Sequence, residues 1–358
     1  MDKGKRHVYM DVLRIAACLC VIYNHTEEYG FFMFATREPG SMQYFVEMYA
    51  SILCKMAVPV FFALSGALML GREISLKTLW KKKIPRIALA LLLFCAVYYG
   101  AEIAADGTQL DIKRFIFGVY ESGWGYSLWY LYAYLAFLVV LPALSAMAKA
   151  LDKQAYVYMF AVALVFRCLI PGFEAYHWEG VHKLNPDFDL AFLTCDIVLY
   201  PLMGYFIHHR MDQRDLRRAT PVLCVSGAVL TAVSCVMTYR DYGRTWVVYT
   251  QTYHNLFAPV LCAAAFCLVK VLFDGMDARC RSAKVLAWMG GCTFGIYLVH
   301  PLFVDHLSGL GGLFDWMLQT TGVLPLLGSF LYALLLMMIS MALVCLLRRI
   351  PLLGKLIS

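Results

Sequence analysis

With 358 residues, 61% of them hydrophobic, 15% charged, and a mean hydropathy of +0.66, the chain lies far above the roughly 45–50% apolar content of soluble domains and reads as an integral membrane protein. The net charge of +7 does not mark a nucleic-acid binder, because the basic residues gather in short loops where membrane topology places them and no basic face with interleaved aromatics is present. The 13 cysteines show no CxxC or Cys/His spacing of a zinc site, so no metal is expected and most of them serve as small hydrophobes.

Read in windows of about 20 residues, the length a transmembrane helix needs, the sequence predicts an all-α, polytopic helical bundle. About ten spans fall roughly over 9–32, 44–70, 86–103, 127–148, 154–171, 189–209, 220–238, 254–273, 285–304 and 326–347. No internal repeat or low-complexity linker divides them, so residues 1–358 read as a single transmembrane domain. Ile15-Ala16-Ala17-Cys18 mimics a lipoprotein cleavage box. A signal peptide, however, has an uninterrupted apolar core of about 7–15 residues, and Asp11 and Arg14 interrupt this one. The first span is expected to be retained.

That first span, DVLRIAACLCVIYNH, carries ionisable groups where the solvent is hydrocarbon. Arg14 and His25 are 11 residues apart, about 1100° of rotation at 100° per residue, so they share one helix face roughly 16 Å apart along the axis. Asp11 lies one turn below Arg14 on the same side. Arg14 is thus placed to meet something arriving from the cytoplasm, and His25 something reached from outside. A structural reading lets Arg14 snorkel to the inner interface and His25 sit among the outer headgroups. A functional reading follows from the rarity of intramembrane ionisable groups, which usually mark a pathway or a site. Both stay open on the residues alone.

Four further segments stand out in chain order. CKMAVPVFFALSGALML places Lys55 in an apolar span, with Pro59 one turn on and Ser65-Gly66 suited to close helix packing. The loop SLKTLWKKKIPRIALA clusters Lys81, Lys82, Lys83 and Arg86. It serves either as a topology signal or as a phosphate-binding patch, with Pro85 fitting a helix start favourable to anions. SLWYLYAYLAFLVVLP brings Trp129 and Tyr130, residues typical of the interfacial belt. TFGIYLVHPLF ends a span at His300-Pro301 on the outer side. His208-His209, at an inner helix end, suit the helix dipole.

Charge placement sets the expected topology. With the N-terminus cytoplasmic, 22 of the 31 Lys and Arg residues, Lys3 and Lys5 among them, fall on the inner side. Eight fall on the outer side or in outer half-spans: Arg37, Lys55, Lys113, Arg114, Arg167, Lys183, Arg240 and Arg244. This asymmetry predicts both termini in the cytoplasm and an even number of spans. The outer loops, such as ESGWGYS and FEAYHWEGVHKLNPDFD, are rich in aromatics, acids and histidine, where polar substrates can dock.

Taken together, these segments resemble the acyltransferase-3 family of integral membrane acyltransferases. Its first span carries D-x-x-R followed by R-x10-H, and Asp11, Arg14 and His25 fill those places. AVPVFFALSG, LWYLYAYLAFLVVLP and TFGIYLVHPLF resemble three further family segments in the same order. The family's basic R-x-x-R is matched by Lys83-Ile84-Pro85-Arg86, a departure in which lysine keeps the charge but loses the bidentate fork. The resemblance implies transfer of an acyl group, usually acetyl, from cytoplasmic acyl-CoA (acetyl-CoA as donor substrate) to a hydroxyl of an extracytoplasmic glycan or cell-wall precursor, in a bacterial plasma (inner) membrane.

On that reading His25 and Arg14 are the catalytic residues, with His25 either a general base or a carrier of the acyl group. Arg14, Lys82, Lys83 and Arg86 would contact the donor. Glu28, Trp129 and Tyr130 would face the acceptor, and Asp11, Ser65 and His300 would support the site. The partners are then acyl-CoA, the glycan acceptor and the lipid bilayer, with a homo-oligomer left open. The rival readings are a transporter or flippase that moves a glycan, lipid or small metabolite without bond formation, and an anchoring or sensing subunit of a cell-wall enzyme. Transporters also keep intramembrane Arg and His, but the inverted repeats that many of them carry are not visible here.

Overall fold

The computed structural model of the protein describes residues 6–121, 124–178, 181–188, 190–241, 256–306, 311–312, 314–315 and 325–357. Lys3, Lys5 and Arg244, like positions 189, 254 and 255 of two predicted windows, lie outside them. The described residues form helices and contain no strand, as expected where backbone in hydrocarbon must satisfy its own hydrogen bonds.

The main helices are α1 (Val8–His25), α2 (Met42–Cys54), α3 (Ala57–Met69), α4 (Ile84–Asp106), α5 (Ile112–Glu121), α6 (Trp129–Ala150), α7 (Lys153–Leu164), α8 (Ile170–Trp178), α9 (Asp196–His209), α10 (Gln213–Asp241), α11 (Ala258–Phe273), α12 (Arg281–His306), α13 (Pro325–Leu347) and α14 (Pro351–Leu356). Eight of the ten predicted windows coincide with helical runs long and apolar enough to cross a membrane. The other two coincide with α9 and α11, which have 14 and 16 residues and fall short of the ~20 that a full crossing takes. The chain is a multi-pass membrane protein.

Two of these helical runs are remodelled ahead of a proline. Leu79–Lys83 and Val165–Leu169 are single π-helical turns, each followed by Ile-Pro, at Ile84-Pro85 and Ile170-Pro171. Proline lacks the N–H that would close the preceding turn, and the wider turn lets the isoleucine N–H reach back to Leu79 and Val165 respectively. Pro85 does lie in the first turn of the α-helix Ile84–Asp106, as expected, but that helix continues the π-turn and its N-terminus is not free. The helical run begins at Leu76, capped by the Ser75 hydroxyl, which accepts from the Thr78 N–H at 3.2 Å.

The chain forms two compact units, one of Met1–Arg72 with Ala143–Gly290 and one of Glu73–Pro142 with Gly291–Ser358. In the first, α3 and α9 cross backbone to backbone. A methyl group at Gly66 would land on the Pro201 carbonyl, and one at Gly204 on the Ala63 carbonyl. Helices in lipid gain no hydrophobic drive from meeting one another, so close packing of small residues takes its place. At one end of this unit α2 packs with the turn Met33–Thr36 and with α10 through Phe34, Tyr44, Met48, Ile52 and Cys235. There the buried Glu47 carboxylate accepts from Arg37 Nε at 3.1 and 3.0 Å and from Gln43 at 3.0 Å.

In the second unit α4 is tied to α12 by Tyr98, whose hydroxyl donates to the Leu298 carbonyl at 2.8 Å. Tyr297 of α12 donates to the Ser127 carbonyl just ahead of α6.

Candidate functional site

In the first unit, both ends of α1 are built around polar groups. At its start the buried Asp11 carboxylate is shared by two arginines. Arg14 donates to Oδ1 at 2.9 Å, and Arg6 donates to Oδ2 through Nε at 2.7 Å and to Oδ1 through a second nitrogen at 3.0 Å. Arg6 also donates to the Ala287 carbonyl at 2.8 Å, which ties the segment ahead of α1 to α12. Gly290 makes room for the carboxylate, since a Cβ there would sit 2.9 Å from Asp11 Oδ1. The hydrogen bond that Arg6 donates to Asp11 holds its guanidinium above its ordinary value, against the opposing effect of desolvation. One carboxylate between two guanidinium groups leaves the cluster with a net positive charge. Charge-assisted, bidentate contacts of this kind fix geometry as well as supply energy. Arg14 is thus held by Asp11, as the three-residue spacing predicts.

At the other end the helix predicted over 9–32 stops at His25. The Tyr23 carbonyl is taken by three donors: the Thr26 N–H at 3.3 Å, the Thr26 hydroxyl at 2.9 Å and the Phe31 N–H at 3.2 Å. The chain therefore folds back on the helix end. Glu27 takes φ 44°, in the left-handed region that non-glycine residues seldom occupy. Such backbone persists where its surroundings over-determine it, often at functional sites. Glu28 sits exposed on this turn.

Asn24, next to His25, donates to the Cys54 carbonyl at 3.0 Å, which pins the end of α1 to the end of α2. The chain breaks there, between α2 and α3, and not at Pro59. Pro59 lies in the first turn of α3, where its missing N–H has no helical partner to lose. The residue at the break is Lys55, whose ammonium lies 3.8 Å from the centre of the Phe31 ring, a cation–π contact. Lys55 joins the His25 end of α1 through the Asn24–Cys54 bond and the folded-back turn. In the sequence the signal for this position is the lysine itself, inside an apolar span. Ser65 donates to the Phe61 carbonyl at 2.9 Å and serves the α3 backbone.

A second polar cluster of this unit gathers at the His208-His209 end of α9. Lys270 of α11, 5% exposed, donates to the carbonyls of Ile207 at 2.6 Å and His208 at 3.3 Å, so a buried ammonium caps the end of α9. The Tyr9 hydroxyl pairs with His208 Nδ1 at 2.6 Å, and His209 Nε2 donates to the Ala67 carbonyl at 3.0 Å. Cations at a helix C-terminus are favourable, and only the fold brings Lys270 there. Among the described residues no group of three or more His, Cys, Asp or Glu side chains could hold a metal ion.

In the second unit Lys82 and Arg86 are exposed and Lys83 is half-buried on the π-turn and the first turn of α4. The Arg86 guanidinium lies 5.9 Å from the Phe294 ring centre. Trp129 opens α6 and is 47% exposed, whereas Tyr130 beside it is buried. Tyr130 stands edge-on to Tyr297 at 5.5 Å and stacks on Tyr134 at 5.9 Å. His300 is fully buried and does not end its span, for α12 runs on through Pro301 to His306. Pro301 has no N–H for the Tyr297 carbonyl four residues back. His300 Nδ1 donates there instead at 2.8 Å, with the Ile296 carbonyl at 3.2 Å.

An acyltransferase domain model, that of the acyltransferase-3 family, matches residues 7–349. No curated protein and no solved structure matches the chain. The Asp11–Arg14 pair, the α1 face that ends at His25 and helices α1 to α13 lie inside the matched stretch, and the chain belongs to the acyltransferase-3 family, as a membrane acyltransferase.

Proposed function

We propose that this protein is an O-acyltransferase of a bacterial plasma (inner) membrane. It moves an acyl group, in the simplest case acetyl, from cytoplasmic acyl-CoA to a hydroxyl of an extracytoplasmic glycan or cell-envelope acceptor. The observation that carries this reading is α1 itself: a guanidinium fixed by Asp11 near one end, and an imidazole 11 residues on along the same face. The acceptor O–H is a poor nucleophile until a base takes its proton, and a neutral imidazole suits that task. On this reading His25 takes the proton and the hydroxyl oxygen bonds to the thioester carbonyl carbon. The carbon–sulfur bond then breaks, and the proton leaves with the CoA thiolate. In the covalent variant a His25 nitrogen bonds to the thioester carbonyl carbon and the carbon–sulfur bond breaks, CoA leaving as the thiol with the imidazole proton. The acceptor oxygen then bonds to the acyl carbon as the carbon–nitrogen bond breaks, and the hydroxyl proton returns to the imidazole.

Arg14 is assigned to the pantetheine or phosphate region of the donor. Lys82, Lys83 and Arg86, in the other unit, are assigned to anionic phosphates, which cations hold through charge-assisted hydrogen bonds. Trp129, whose exposed ring offers a face to a sugar, Tyr130 and Glu28 are assigned to the acceptor. The cytoplasmic placement of both termini is part of the same reading and rests on the loop charges.

The test is release of free CoA from acetyl-CoA by the purified full chain in detergent, with and without a glycan acceptor. Acceptor-dependent release supports the reading, and acetyl-CoA that stays intact with every acceptor class opposes it. Arg86→Ala should raise KM for acetyl-CoA with little change in kcat.

A further inference from the structure

A cavity of about 560 Å³ lies wholly within the first unit, between α7, α9, α10 and α11. Its walls are apolar along their length, with Phe160, Met203, Val222 and Ala263 as examples from the four helices, and all of its charged lining residues, Lys153, Asp215 and Arg218, gather at one end. Lys153 Nζ bridges to Asp215 Oδ2 at 2.5 Å across that end. This pair is neutral, so Arg218, exposed one turn beyond Asp215, supplies the excess positive charge. Arg214 and Arg217, beside the lining on the same stretch of α10, add to it, and Asp212, which accepts from the Asp215 N–H at 2.7 Å, offsets one of them.

Three features select the occupant. From Lys153 to Leu164 the groove follows α7 for 11 residues, about 16 Å at 1.5 Å per residue. That is close to the depth of one leaflet, half of a ~30 Å hydrocarbon core, and so to the reach of one extended acyl chain. Small residues, Ala219 and Ala263, leave room in its walls. An apolar groove of this size offers a hydrocarbon chain dispersion contacts along its whole lining. The charged mouth sits at the end of the groove where a phosphate headgroup would lie, and basic pockets between membrane helices recognise anionic headgroups.

We propose that this groove is a binding site for one anionic diacyl phospholipid, with an acyl chain along the apolar walls and the headgroup phosphodiester at Arg218. The site is separate from α1, and its occupancy does not depend on the assignment of His25. A bound lipid here fixes the short helices α9 and α11, whose 14 and 16 residues are fewer than the ~20 of a full crossing.

The test is native mass spectrometry of the delipidated full chain, titrated with phosphatidylglycerol or phosphatidylcholine of identical chains. Wild-type protein should retain one phosphatidylglycerol in preference to phosphatidylcholine. Arg218→Glu should lower the phosphatidylglycerol affinity by about fivefold or more and leave phosphatidylcholine nearly unchanged. Ala263→Phe, which fills the groove without touching the mouth, should reduce retention of both lipids. An unchanged elution volume and unfolding temperature show that each variant is folded. Should Ala263→Phe misfold, Ala219→Leu gives the same reading from α10. Equal retention of the two lipids, or a single adduct that survives both kinds of substitution in folded protein, overturns the proposal.

Discussion

His300 donates through Nδ1 to the Tyr297 carbonyl at 2.8 Å, the acceptor that Pro301 cannot fill. The two neighbours thus solve one problem between them: proline opens the ladder and the preceding imidazole closes it. His300→Ala should leave a buried carbonyl without its partner and destabilise the protein by about 1–3 kcal/mol. In a Pro301→Ala background the backbone N–H returns, and the same substitution should cost less. Thermal unfolding of the four proteins of this double-mutant cycle in detergent measures the coupling. A cost of His300→Ala that is the same in both backgrounds would contradict the assignment.

The crossing of α3 and α9 makes a sharper structural prediction. Gly66→Ala drives a methyl group into the Pro201 carbonyl of the facing helix, so the helices must separate along their whole contact. We expect loss of folded protein in size-exclusion chromatography. Gly100→Ala, within α4 where a methyl would meet nothing within 4 Å, should be neutral or stabilising by up to about 1 kcal/mol from helix propensity. Equal behaviour of the two variants would show that the crossing is not as close as described.

Asp11 joins the two arginines at the start of α1, so its charge should matter more than its shape. Asp11→Asn keeps the size of the side chain but removes the charge-assisted pairing and leaves two guanidinium groups facing each other. If Arg14 contacts the donor, KM for acetyl-CoA should rise by roughly an order of magnitude, the scale of one lost charge-assisted bond, with kcat little changed. Arg6→Ala should have a smaller effect, because Arg6 is 51% exposed and Arg14 keeps its own bond to Asp11. Steady-state kinetics with varied acetyl-CoA checks both. An Asp11→Asn enzyme with wild-type KM would detach Asp11 from donor binding.

How much of this was legible follows from the range of each interaction. The Asp11–Arg14 bond is three residues long, and helical period alone predicts it. The apolar windows carry the bundle, because hydrophobic length is a local property. What escaped depends on contacts distant in sequence. Lys270 reaches α9 across 63 residues, and Asn24 reaches Cys54 across 30, so neither the cap of α9 nor the break at Lys55 is written in any local pattern. The π-turns before Pro85 and Pro171 are a middle case. An Ile-Pro dipeptide within a continuous apolar run signals that the backbone must adjust, but not whether it breaks or widens. Trp129 and Tyr130 share one local pattern yet differ in exposure, because only Tyr130 meets Tyr297.

The most direct test concerns His25. Acceptor-dependent release of CoA from acetyl-CoA should fall by at least about 100-fold in His25→Ala, the scale of losing a general base, while elution volume and unfolding temperature stay those of the wild type. Release at the wild-type rate from folded His25→Ala protein would contradict the role given to this residue.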